Sequence, residues 1–168
     1  MFNQKLSSSI VFSVLLICAT PLLAQKSFAP PPQIPYGAPI GTDAAKKVAS
    51  AAIAEAHKNQ WKMAVAVVDV GGHLVYFERM QDAQIGSVEL AIEKAKTSAL
   101  FRRPTKLFQD GVAGGGEGLR LLRLTGAIPI DGGAPIIQDG KVVGAIGISG
   151  GSGEQDGETS KAGAAAIR

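Results

Sequence analysis

Cysteine is nearly absent from this chain. Its 168 residues include one, Cys18, so no disulfide can close within the chain and no paired-thiol metal site exists. Histidine is almost as scarce. His57 and His73 are the two present, and neither stands in a ligand spacing such as His-x-x-x-His, which excludes a structural zinc site. Excess charge is lacking too: the formal net charge is +3, too little to argue for nucleic-acid binding. Ser149 stands in the letters Gly-x-Ser-x-Gly, as Gly147-Ile148-Ser149-Gly150-Gly151, and Ser152 does not, but no histidine and acid partner can be placed beside either serine from the sequence, so the letters alone do not make a hydrolase nucleophile. No Gly-Lys-Ser/Thr follows the glycine run at 114–118, so there is no phosphate loop. Internal repeats are absent, and the length suits one domain. What these absences leave is a small fold stabilised by its apolar core, with association between copies as a further aid.

One long apolar run is present. Ile10 to Leu23 follows Lys5 and ends at Ala24. A short positive region, an apolar stretch and a small residue at its end describe a secretory signal peptide over residues 1–24, too short for a comfortable membrane span. Cleavage there removes Cys18 and places the protein in the periplasm or outside the cell, without a stable membrane anchor. Residues 25–41 carry Pro30, Pro31, Pro32, Pro35 and Pro39 and read as an extended leader. Residues 42–168 then form a single domain.

Within it, apolar periodicity sets the elements. Ala45, Val48, Ala49, Ala52, Ile53 and Ala56 form a stripe at helical spacing, with Thr42 as the cap. A hairpin follows over 63–79, turning at Val70-Gly71-Gly72, and Asp69 is placed to cap that turn. Ser87 opens a second helix with Val88, Ala91, Ile92, Ala95 and Ala99 on one face. Pro104 permits a new helical turn, and 111–118 reads as a glycine-rich loop. Residues 119–131 read as a short helical turn and then a strand. A second hairpin spans 134–149 around Asp139-Gly140, a dipeptide that accepts positive φ in a tight turn. Gly144 and Gly147 sit inside its second strand, where their use is the close approach of another backbone. A terminal helix runs over 154–167, with Glu154 and Asp156 as capping acids. Hairpins dominate, so the fold class is α+β: a mainly antiparallel sheet with flanking helices.

Four runs in order carry a family likeness: AVAVVDVGGHLVYFERM at 64–80, EKAKTSALFRRPTKLF at 93–108, GGAPI with DGKVVGAIGISGG and EQD across 132–156, and KAGAAAI at 161–167. Together they resemble the GlcG/HbpS-like haem-binding family, related to the C-terminal domain of PduO-type proteins, over nearly all of Tyr36 to Ile167. The resemblance implies a profilin-like or GlcG-like sandwich, a homo-oligomer, and haem as cofactor, with roles in haem handling or redox-linked sensing. It implies a ligand-binding protein more than an enzyme, and no catalytic residue stands out. Binding or turnover of a small carboxylate metabolite is the alternative, and a non-catalytic oligomeric accessory protein is a third.

A site can be sketched on the residues. Arg102, Arg103 and Lys106 are the one local basic cluster; they either satisfy the end of the second helix or bind an anionic group such as a haem propionate. Gly132 and Gly133 free backbone for close approach. If the two segments meet, they frame a small-molecule pocket with cationic walls, covered by strand residues such as Ile136. Haem iron needs a single axial residue, for which Tyr36, His57 and His73 are the candidates. Asp131 reads as a turn cap.

Overall fold

In the computed structural model, residues 33–167 are described; the expected signal segment 1–24 and leader residues 25–32 lie outside them. The order is α1 (Thr42–Lys58), β1 (Ala64–Asp69), β2 (Leu74–Arg79), α2 (Ser87–Phe101), α3 (Lys106–Ala113), a 3-10 helix (Gly116–Arg123), β3 (Gly133–Gln138), β4 (Lys141–Ser149) and α4 (Gly153–Ala164). The four strands form one antiparallel sheet in the order β2-β1-β4-β3, so the α+β class holds.

Strand β1 shows why the sheet is covered on both sides. Its side chains alternate: Val65 and Val67 join the core beneath α1, while Ala64, Ala66 and Val68 face Ala91, Ala95 and Ala99 of α2. The alanines let helix backbone come down onto the sheet. At Gly147 of β4 a Cβ would stand 2.0 Å from the Ala91 carbonyl oxygen and 2.4 Å from the Ala95 nitrogen. At Gly144 it would stand 2.4 Å from the Val68 oxygen. On the opposite face, Gly163 of α4 admits Ile146 and lies against Val48 and Ala52 of α1. The alanine stripes of both long helices are therefore spent inside the chain.

The turns follow their local chemistry. Asp139 and Gly140 take φ of 49° and 70°, as a two-residue hairpin turn requires. Asp69 accepts hydrogen bonds from the Gly71 and His73 amides, at 2.8 and 2.9 Å. Helix α4 opens on a capping box in which Ser152 and Gln155 satisfy each other's backbone amides.

Three local expectations are corrected. The strand placed within 119–131 does not form. Gly126 has φ +76°, and the Ile128 amide donates to Thr97 Oγ1 of α2, so this stretch runs over the helix. The start of the β3 edge is met instead by Thr105, whose amide donates to the Gly133 carbonyl. Second, 111–118 is not one loop: α3 continues through Gly111 to Ala113, and the 3-10 helix starts at Gly116. Third, Gly41 holds the position before α1, and Thr42 is its first residue. Among the described residues, no helix is long and apolar enough to cross a membrane.

Candidate functional site

The 102–106 segment and the Gly132-Gly133 turn do meet, but as a packed joint. The Gly133 amide donates to Thr105 Oγ1 at 2.8 Å, and the Gly132 amide donates to Asp131 Oδ1 at 2.7 Å. Both glycines are buried, and a Cβ on Gly133 would stand 2.5 Å from the Lys94 carbonyl oxygen. Their amides are thus spent on the protein itself.

The three basic residues are also engaged. Arg102 ends α2 in the left-handed region, at φ 52°. Its guanidinium donates to the Ile34 carbonyl at 3.0 Å and to Gln33 Oε1, and lies 4.9 Å from the centre of the Tyr36 ring. Arg102 is therefore a clasp on the leader. Arg103 donates from Nε to the Phe101 carbonyl at 3.0 Å and covers the Phe108 ring. Lys106 pairs with Asp110, whose hydrogen bond holds the ammonium pKa above its ordinary value.

The candidate iron contacts lie on different elements. Tyr36 pairs with Val142 as a parallel bridge, and its hydroxyl contacts the Ala99 and Leu100 carbonyls, both at 3.0 Å. His57 is exposed in the last turn of α1. His73 sits on the β1–β2 turn, its Nδ1 3.3 Å from the Asp69 carboxylate. Ile136, expected to cover a ligand, is fully buried in the core under α1 and α4. Strand alternation sends its neighbours Pro135 and Ile137 outward instead.

Those neighbours line an open groove of about 510 Å³ between the β3–β4 hairpin and the end of α4. Pro104, Pro135, Ile137, Ala164 and Ile167 supply its apolar walls, and Asp139 and Gly140 of the hairpin turn and Lys161 of α4 complete its lining. Among the described residues Lys161 has no salt-bridge partner. Its volume is within the range of small-molecule sites. Asp139 also borders a smaller hollow of about 330 Å³ toward Gly37, Pro39 and Lys141.

Near the start of α4 lies a polar centre that sequence reasoning missed. Lys94, fully buried, donates to Asp156 Oδ2 at 2.7 Å and to the Ile148 carbonyl at 3.0 Å. Asp156 Oδ1 accepts from the Gly151 amide at 2.9 Å, so this acid does more than cap α4. Burial pushes its carboxyl pKa up, against the opposing pull of Lys94, and the nearby Asp131 charge adds to the rise. Asp131 is buried against Gly157 of α4. The available signal was the position of Lys94: it shares the inner face of α2 with Ala91, Ala95 and Ser98. Among the described residues, no group of three His, Cys, Asp or Glu could hold a metal ion.

The layout defines a class: a helix-flanked antiparallel sheet with an apolar, singly cationic groove at the end of its last helix. The family described as haem degrading protein HbpS-like matches residues 40–165, and the chain belongs to it. Protein GlcG of Escherichia coli K12 is 39% identical over 108 residues, covering 62% of this chain and 79% of that one. A double mutant of HbpS from Streptomyces reticuli superposes with a TM-score of 0.72 at 31% identity, over 79% of this chain and 89% of that one. A crystal structure of a PduOC–haem complex superposes with a TM-score of 0.69 at 32% identity, over 77% and 96%.

Proposed function

We propose that this protein binds haem, and does so in the groove between the β3–β4 hairpin and α4. The observation that carries the reading is the groove's own chemistry, about 510 Å³ of largely apolar wall lined also by the Lys161 ammonium, which has no salt-bridge partner among the described residues. A flat apolar ring with an acidic edge suits that arrangement, and membership of the HbpS-like family together with the haem complex of a relative supports the choice. Pro135, Ile137 and Ile167 would cover the ring, each buried methylene-sized area contributing about 0.8 kcal/mol. Lys161 would hold a carboxylate. Haem bound there would supply a redox-active iron; the protein's own part is to bind, orient and shield the ring from water.

Export by cleavage near Ala24 belongs to the same proposal, resting on the Lys5, apolar-run and Ala24 pattern, as does self-association. Because the alanine faces are consumed in the core, the surface that favours association is the exposed apolar set Leu119, Leu122 and Leu124. Light scattering at micromolar concentration tests it; a monodisperse monomer refutes it.

Haem titration of the purified protein tests the main reading. A saturable Soret change is expected, weakened in Ile137→Glu, which sets a charge in the apolar wall. No spectral change with the parent protein would reject it.

A further inference from the structure

Resting on that reading, we infer that the groove recognises the porphyrin by its ring and carboxylate edge, and that this chain's groove leaves the metal unliganded. Two observations meet here. The first is the make-up of the walls. Pro104, Pro135, Ile137 and Ile167 are hydrocarbon, and none of the described groove residues is a histidine, tyrosine, cysteine or methionine. The ordinary axial donors stand elsewhere: His57 on α1, His73 on the β1–β2 turn, and Tyr36 with its hydroxyl held at the end of α2.

The second observation is the distribution of charge. Of the cations around this end of the molecule, Arg102 is bound to the leader, Arg103 to Phe101 and Phe108, and Lys106 to Asp110, while Lys141 lines the neighbouring hollow and not the groove. Lys161 is the groove cation left to pair with a ligand, and it sits in the last turns of α4. The acid in the groove, Asp139, belongs to the hairpin turn at the other side. A porphyrin therefore has one favourable orientation, with its carboxylate edge toward α4 and away from Asp139. The ligand class that follows is a porphyrin carboxylate with or without a metal.

The test compares haem, metal-free protoporphyrin and the dimethyl ester of protoporphyrin. Binding to the full chain is read by fluorescence quenching or absorbance. Protoporphyrin is expected to bind within about threefold of haem, and the ester about fivefold more weakly than the free acid, the scale of one exposed ion pair. Lys161→Ala should abolish the acid-over-ester preference, and Lys161→Arg should keep it. If haem binds and protoporphyrin is more than about a hundredfold weaker, a difference of roughly 3 kcal/mol, iron ligation governs binding and the inference is wrong. An acid-over-ester preference that survives in Lys161→Ala overturns the placement of the carboxylate edge. If the parent binds neither haem nor protoporphyrin, the proposed function fails and this inference with it.

Discussion

Replacing Gly147 by alanine adds one methyl group where the structure has no room for it. The new Cβ would stand 2.0 Å from the Ala91 carbonyl oxygen and 2.4 Å from the Ala95 nitrogen. Both are helix backbone, so no side chain can rotate away. Helix α2 must withdraw by more than an ångström or β4 must bow, and either motion loosens Ala91, Ala95 and Ala99, all fully buried. It also draws Lys94 away from Asp156, across the 2.7 Å contact that links α2 to α4. Overpacking costs about 1–3 kcal/mol, and a backbone obstacle puts this case near 3 kcal/mol. Against a total stability of roughly 5–15 kcal/mol, that is a large fraction. With a urea m-value of about 2 kcal/mol/M, the unfolding midpoint should fall by about 1.5 M. Gly86→Ala is the control, because nothing lies within 4 Å of its added Cβ and its φ is −61°; it should be neutral or slightly stabilising. A Gly147→Ala midpoint equal to the parent's would refute the view that α2 rests on the strand backbone.

Three other outcomes are expected. Lys94→Met should destabilise by about 3–5 kcal/mol, because it strands the Asp156 carboxylate in the interior; pairing it with Asp156→Leu should recover most of the loss in urea melts, and equal damage in both variants would count against the pair. Arg102→Ala should open the leader clasp, so that hydrogen exchange rises at the Gly37 and Ile40 amides, which donate to Val142 and Val143, and unchanged protection there would mean the clasp is idle. In acid, two carboxylates act oppositely. Burial raises the Asp69 pKa, but the His73 and Gly71 amides outweigh it and leave the value lowered, so its contribution is present above the unfolded carboxylate pKa and is lost as pH falls through the folded value. Asp156, raised by burial, favours folding as pH falls through its folded value, with the gain complete below the unfolded one. Asp69→Asn should therefore flatten the acid-side fall in stability and Asp156→Asn should steepen it; the reverse pattern would overturn both assignments.

The elements with strong periodicity were legible in the sequence. The alanine stripe of α1, the two hairpins and the Asp139-Gly140 turn all declare themselves through local chemistry. Gly144 and Gly147 were legible too, since glycine inside a strand has few other uses. Residues 119–131 were harder. Leu119, Leu121, Leu122 and Leu124 look like material for a buried element, yet Leu119, Leu122 and Leu124 are exposed, and hydrogen bonds from α2 decide the path of the chain beyond. The site was half visible. Arg102, Arg103 and Lys106 stand out by charge, but what neutralises them, a leader carbonyl, an aromatic ring and Asp110, depends on tertiary neighbours. Lys161 looks like one more surface lysine until α4 is laid against β3. Ile136 and Ile137 are neighbours in the chain, and only the sheet face tells which of them lines the groove.

The burial of Lys94 has a consequence for how the molecule can be watched. A primary amine closed off from solvent cannot meet an acylating reagent while the fold is intact, whereas exposed lysines such as Lys46 and Lys47 can. Its modification must wait for α2 and α4 to part. The rate at which Lys94 acquires a label, followed by peptide mass, is thus a built-in clock for the rare openings of the core.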